Sequence, residues 1–146
     1  MKNMKEQADF FCELNKQISG IYAEYAKSVG LSYTSLYTLH MIAISKNCTQ
    51  KFIAKQIFVP KQTINSIISA FCKQGIVELY ELPEDKRHKI IKLTEKGREF
   101  AAQILPKIER AEQNSIAQFS DEERRIFLRL IKKYVSSFTV EMKKLP

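Results

Sequence analysis

Residues 82–97 read Leu-Pro-Glu-Asp-Lys-Arg-His-Lys-Ile-Ile-Lys-Leu-Thr-Glu-Lys-Gly, and no other stretch constrains the fold as tightly. A charged run, Pro83 to Arg87, separates two short β-type segments, Ile76 to Leu82 and His88 to Leu93. So short a connection leaves room only for a hairpin turn. Just before it lies a helix-like stretch, Lys61 to Gln74. There Ile64, Ile67, Ile68 and Phe71 recur at helical spacing, and Lys61, Gln62, Asn65, Ser66, Ser69 and Lys73 form the opposite face. A basic hairpin behind a helix with a polar, acid-free face implies two probes of a nucleic acid, one per groove.

The flanking segments extend this pattern. Phe10, Phe11, Leu14, Ile18, Ile21, Tyr22 and Tyr25 mark an amphipathic helix over roughly residues 5–28, ended by Gly30. Ser32 can cap a second helix containing Leu36, Tyr37, Leu39, His40 and Ile42 to Ile44, closed at Asn47 or Cys48. Thr49 caps a short third helix, Gln50 to Ile57, with Ile53, Ala54 and Ile57 inward. Pro60 opens the fourth, where its fixed φ and missing N–H are tolerated, and Gly75 stops it. Beyond the hairpin, Thr94 caps a helix with Phe100, Ala101, Ile104, Leu105, Ile108 and Ala111 inside and a kink expected at Pro106. Ser120-Asp-Glu-Glu123 is a capping box ahead of a last helix carrying Phe127, Leu130, Ile131, Tyr134 and Phe138.

The expected fold is mainly α with a small β-hairpin (α+β): a winged helix-turn-helix, with the second helix of that motif in the major groove and the wing beside it. A single domain is expected over residues 1–146. Its DNA-binding lobe would span 32–98, with helical dimerisation regions at 1–30 and 99–146. That lobe needs only about half the chain. The outer helices carry more apolar stripe than it can cover, so they either form an intramolecular bundle or pair with a second copy. Pairing is favoured because a two-fold reader engages two half-sites at once.

Composition narrows the functional classes. An apolar fraction of 45% supports a core rather than disorder. No uninterrupted apolar run reaches membrane-spanning length, and the polar start Met1-Lys-Asn-Met-Lys-Glu does not read as a signal peptide, so a cytoplasmic location is expected. Cys12, Cys48 and Cys72 are too scattered for a disulfide framework or zinc site, and His40 and His88 add no ligand spacing. No metal and no cofactor are expected. Nor does any nucleophile–base pair or Gly-rich phosphate loop point to an enzyme. The net charge is +8, and residues 46–98 hold eleven basic and five acidic residues, a local +6. A field so concentrated attracts polyanions.

Particular side chains then take roles. Gln62 and Asn65 can pair bidentately with adenine, while Lys61 and Ser66 can take guanine edges or phosphate. At a narrow wing tip Arg87 can enter the minor groove, with Asp85 fixing its guanidinium and Lys86, His88, Lys89 and Lys92 adding charge. The plain alternatives are an ordinary solvated helix face and a turn kept polar for solubility.

Taken together, Lys61-Gln-Thr-Ile-Asn-Ser-Ile-Ile, Phe71-x-x-x-Gly75-Ile-Val, Asp85-x-Arg87 and Leu93-Thr-Glu-Lys-Gly97 resemble the successive motifs of the MarR family of winged-helix transcriptional regulators. The likeness is close over about residues 48–98. It implies a homodimer, most often a repressor, on a pseudo-palindromic operator in double-stranded DNA. It also implies regulation by a small phenolic or other lipophilic effector, or by oxidation. By position, Lys61, Gln62, Thr63, Asn65 and Ser66 match the start of the family's recognition helix, and Asp85 and Arg87 its wing-tip pair. Thr49, Lys73, Lys86 and Lys89 complete the expected DNA-contacting set. Tyr22, Tyr33 and His40 are candidate liners of the family's ligand crevice, and each can equally be core. The departures are Leu79, where a basic residue is common, Pro60 in place of a small polar cap, and Phe52 in place of a polar residue.

Two other readings remain. Some members sense peroxides through a first-helix cysteine held by tyrosines, which nominates Cys12, although Cys12 lies about one helical turn nearer Gly30 than that arrangement uses. The other is a winged-helix adaptor that binds protein rather than DNA.

Overall fold

In the computed structural model, residues 3–82 and 84–146 are described, and the side chains of Leu82, Asp85, Lys86, Arg87 and His88 lie outside that description. The elements follow in the order α1 (Met4–Ser28), α2 (Tyr33–Ile44), α3 (Gln50–Ile57), α4 (Lys61–Lys73), β1 (Val77–Leu82), β2 (Asp85–Leu93), α5 (Glu95–Ile116) and α6 (Asp121–Met142). The fold is therefore mostly helical with one antiparallel two-stranded hairpin. The chain divides into two compact units between Leu105 and Pro106, within α5.

In the first unit, helix ends follow local chemistry. Asn3, Ser32 and Thr49 cap α1, α2 and α3 by accepting the backbone N–H three residues on. Gly30 and Gly75 take left-handed φ of 77° and 69° at the ends of α1 and α4. Around α2, which packs against α1, α3, α4 and β2, the core gathers Leu36, Leu39, Ile42, Ile53, Ile64, Ile68, Phe71, Ile76, Val77, Ile90 and Ile91. The Tyr25 hydroxyl donates to the Ile104 carbonyl at 2.9 Å and ties α1 to α5.

A compact joint sets the wing on the helices. Thr94 Oγ1 accepts from the Gly97 N–H at 2.9 Å, capping α5. The same hydroxyl reaches the Gly75 and Ile76 carbonyls at 2.5 and 3.2 Å, and the Thr94 N–H donates to Ile76 at 3.0 Å. A Cβ on Gly97 would stand 1.9 Å from the Ile76 oxygen, so only glycine lets α5 approach β1 this closely. A second tie joins the loop before α3 to the wing: the Ile91 N–H donates to the Cys48 carbonyl at 2.8 Å.

Four local expectations need correction. First, α2 ends at Ile44, with Ser45 already extended, rather than at Asn47 or Cys48. The Cys48 carbonyl is committed to the wing, which requires the chain to leave the helix earlier. Second, Pro60 is not the first helical residue but stands at the cap position that the family resemblance implies, with ψ 143° and its carbonyl accepting from the Thr63 N–H at 3.0 Å. Third, Ile67 is only half-buried, unlike its neighbours Ile64 and Ile68. Fourth, β2 begins at Asp85, so Asp85, Lys86 and Arg87 have strand backbone instead of forming the turn. Pairing is regular from Val77 opposite Leu93 to Glu81 opposite Lys89, then shifts so that Leu82 faces Asp85. Residues 86–88 are thus three extra positions on β2.

The second unit is simpler. Ser120 and Glu123 form the expected capping box, with Glu123 N to Ser120 Oγ at 3.2 Å and Ser120 N to Glu123 Oε2 at 2.8 Å. Two aromatic pairs, Phe119 with Phe127 and Tyr134 with Phe138, have ring centroids 5.6 and 5.7 Å apart. No residue of α6 is buried.

Candidate nucleic-acid interface

The outer face of α4 is built by the burial of its inner one. With Ile64, Ile68 and Phe71 held in the core, Lys61, Gln62, Thr63, Asn65, Ser66, Ser69 and Lys73 are all exposed. The side chains are partly ordered before any ligand arrives. Asn65 Oδ1 accepts from Gln50 Nε2 of α3 at 3.3 Å, leaving the Asn65 amide N–H groups free to donate outward. Ser66 Oγ donates back to the Gln62 carbonyl at 3.1 Å. Thr49 spends its hydroxyl oxygen on capping α3, at 3.1 Å from the Phe52 N–H, and retains a proton to donate.

The electrostatics reach well beyond α4. Between Glu24 and Glu78 the chain contains no Asp or Glu, whereas it has Lys27, Lys46, Lys51, Lys55, Lys61 and Lys73. Helices α3 and α4 therefore carry an uncompensated positive surface, including the exposed Lys51 and Lys55 of α3. Those two lysines were missed as candidates, although the acid-free run around them is plain in the sequence.

On the wing, Lys89 pairs loosely with Glu81 across the strands at 3.8 Å, an exposed contact of little energetic weight. Lys92 lies 5.0 Å from the Tyr80 ring centroid, a cation–π arrangement. The Tyr80 hydroxyl donates to Glu78, and this bond chiefly pushes the phenol pKa up. Leu79, where a cation would strengthen the wing base, is partly exposed. The expected Asp85–Arg87 pair and Lys86 fall among the side chains outside the described residues.

This arrangement matches known regulators. The model of the MarR family matches residues 29–88. The HTH-type transcriptional repressor YetL of Bacillus subtilis is 27% identical over 125 residues, spanning 82% of this chain and 72% of that protein. The structure of NMB1585, a MarR family regulator from Neisseria meningitidis, superposes with a TM-score of 0.75 at 26% identity, covering 94% of this chain and 99% of that one.

Over its helix-turn-helix and wing the chain is similar to the MarR family. It is a DNA-binding transcriptional regulator and not an enzyme. The fold is also shared with Staphylococcus aureus MepR, in the structure of its complex with DNA, at a TM-score of 0.74 and 20% identity, over 90% of this chain and 96% of that one.

The other candidate residues fall in two places. Tyr22, Tyr33 and His40 do come together, through Tyr37. Tyr33 and Tyr37 lie 5.3 Å apart by ring centroid, Tyr22 lies 6.0 and 6.4 Å from Tyr33 and Tyr37, and His40 lies 6.4 Å from Tyr37. Burial, then the Tyr37 neighbour, raises the Tyr33 pKa and keeps its phenol protonated. Tyr37 itself was missed, although its spacing of four from Tyr33 and three from His40 puts it on their helical face. Cys12 is exposed on α1, and ten residues, or about 15 Å of helix, separate it from Tyr22. Cys48 is buried, which pushes its thiol up to about 11. Among the described residues no cluster of His, Cys, Asp and Glu is assembled to hold a metal, and no helix is long and apolar enough to cross a membrane.

Proposed function

We propose that the chain works in the cytoplasm as a homodimeric repressor on a pseudo-palindromic operator and is released by a small lipophilic or phenolic effector. The observation that carries this reading is the acid-free, pre-ordered face of α4. In this reading Gln62, Asn65 and Ser66 read base edges in the major groove, while Lys61, Thr63, Thr49 and Lys73 hold the flanking phosphates. The wing, with Lys86, Arg87 and Lys89, lies along the minor groove, and Asp85 orients Arg87. The DNA-binding lobe is residues 32–98, and residues 1–30 and 99–146 form the dimer.

Dimerisation is supported by apolar side chains that a single copy leaves exposed, among them Ile18 and Ile21 of α1 and Phe127, Leu130 and Phe138 of α6. The repressor role draws on YetL, which is named a transcriptional repressor. The effector draws on the aromatic group of Tyr22, Tyr33, Tyr37 and His40, whose phenols can stack on and hydrogen-bond an aromatic ligand. An effector releases DNA only if it prefers the dimer whose two α4 helices are wrongly spaced.

Footprinting on the promoter region of the chain's own gene tests this. Two protected half-sites about one helical turn apart, roughly 34 Å, are expected. Protection should vanish on adding an effector found by ligand titration. Equal affinity for that region and for random DNA at every salt concentration would refute operator recognition.

A further inference from the structure

Phe58, in the turn between α3 and α4, is unusual in two independent ways. It is the one described non-glycine residue with a positive φ, at 56° with ψ 41°. It is also the most exposed large apolar side chain among the described residues, at 93%. A bulky side chain in the left-handed region crowds its own backbone, and glycine normally occupies such a helix end. The geometry here is enforced by capping: the Phe58 and Val59 N–H groups both donate to the Ala54 carbonyl, the latter at 3.2 Å. Neither burial nor backbone preference accounts for an aromatic at this position.

Its surroundings indicate what it meets. Phe58 is three residues before Lys61, so their Cα atoms are within about 11 Å. Lys55 and Lys61 on either side are exposed, and no acid occurs from residue 25 to residue 77. So exposed an apolar projection on a cationic surface, next to the start of α4, is placed to meet the polyanion that surface attracts. The apolar group that DNA displays in its major groove is the thymine C5-methyl.

We infer that Phe58 is a specificity-determining residue that packs against a thymine methyl at the edge of the major groove. This rests on α4 entering that groove. The left-handed turn fixes the ring's direction, and the recognition helix fixes its depth.

The test uses the full-length protein and a duplex selected by it from a random-sequence pool. Dissociation constants are measured with each thymine in turn replaced by deoxyuridine, which lacks the methyl. Wild type should lose about fourfold at one or two positions per half-site, the worth of one buried methyl. Phe58→Ala and Phe58→Gly should both lose this methyl dependence and bind the selected duplex more weakly than wild type. Phe58→Gly, relieved of the positive-φ cost, should also melt higher by about 2–4 °C, so that its weaker binding cannot come from misfolding. Unchanged methyl dependence in either variant overturns the inference, as does an equal loss on selected and random duplexes. If wild type selects no sequence at all, the DNA reading beneath the inference fails; if selection succeeds and the variants match wild type, only the role of Phe58 fails.

Discussion

The cysteines show how placement decides the chemistry of one residue type. Cys12 is exposed, whereas burial raises the Cys48 thiol from 9.0 to about 11, with a hydrogen bond involving Ser45 offsetting part of the rise. The thiolate is the reactive form, so at pH 7.5 a disulfide reagent should modify Cys12 well before Cys48 in the native protein, with the two rates converging in denaturant. Comparable native rates, measured by mass spectrometry of the labelled peptides, would contradict the burial. Because the folded pKa is the higher one, Cys48 favours the folded state fully below about pH 9 and loses that contribution as pH rises through about 11. On the face of α4 proposed to meet DNA, Asn65 is held by Gln50 with its amide N–H groups outward. Asn65→Ala should reduce discrimination between operator and single-base variants by roughly 1–3 kcal/mol, read by competition binding. An equal loss on operator and random DNA would assign Asn65 to the backbone instead.

At the scale of elements, the Thr94–Gly97 joint orients the wing. Gly97→Ala forces a methyl against the Ile76 carbonyl, so it should cost about 3 kcal/mol in urea unfolding, near the top of the range for overpacking. A change below 0.5 kcal/mol, within the scatter of surface substitutions, would mean that the joint yields easily. At the start of α6, the Ser120 backbone N–H, then its side chain, hold the Glu123 carboxyl below its ordinary pKa. That capping contribution is present above the unfolded carboxyl pKa and fades as pH falls through the folded one, so Ser120→Ala should matter less in acid than at neutral pH. These caps were legible from the sequence because each depends on residues three apart: Ser32, Thr49, Thr94 and Ser120 all start helices where expected. The hairpin's existence was legible for a similar reason, since the β-type runs Ile76–Leu82 and His88–Leu93 are joined by a connection too short for anything but a turn. Its register was not, because the three-residue shift after Glu81 depends on which strand residues find partners across the ladder. The left-handed turn at Phe58 was hidden too, because no glycine marks it.

For the whole molecule, charge and apolar surface make separate demands. The acid-free span from residue 25 to residue 77 gives a DNA affinity that falls with salt, and Lys61→Ala should lower the slope of log K against log salt by about one. In the proposed dimer each copy would read one half-site, so that contact alone would not be enough for an operator. The apolar stripe of α1 runs Phe10, Leu14, Ile18, Ile21, all exposed and spaced by four, four and three. A single chain leaves this stripe in water, so pairing of two copies is the natural way to cover it. Charge on the stripe would then have to be desolvated in the dimer but not in the monomer. Replacing both Ile18 and Ile21 by Glu should therefore shift the sedimenting species from twice 17.0 kDa to 17.0 kDa while leaving helical content unchanged. The variant should keep its salt-dependent affinity for random DNA and lose the added affinity that two linked half-sites provide. A variant that still sediments as a dimer would place the pairing surface elsewhere. One that becomes monomeric yet binds the operator as tightly as wild type would make dimerisation irrelevant to recognition.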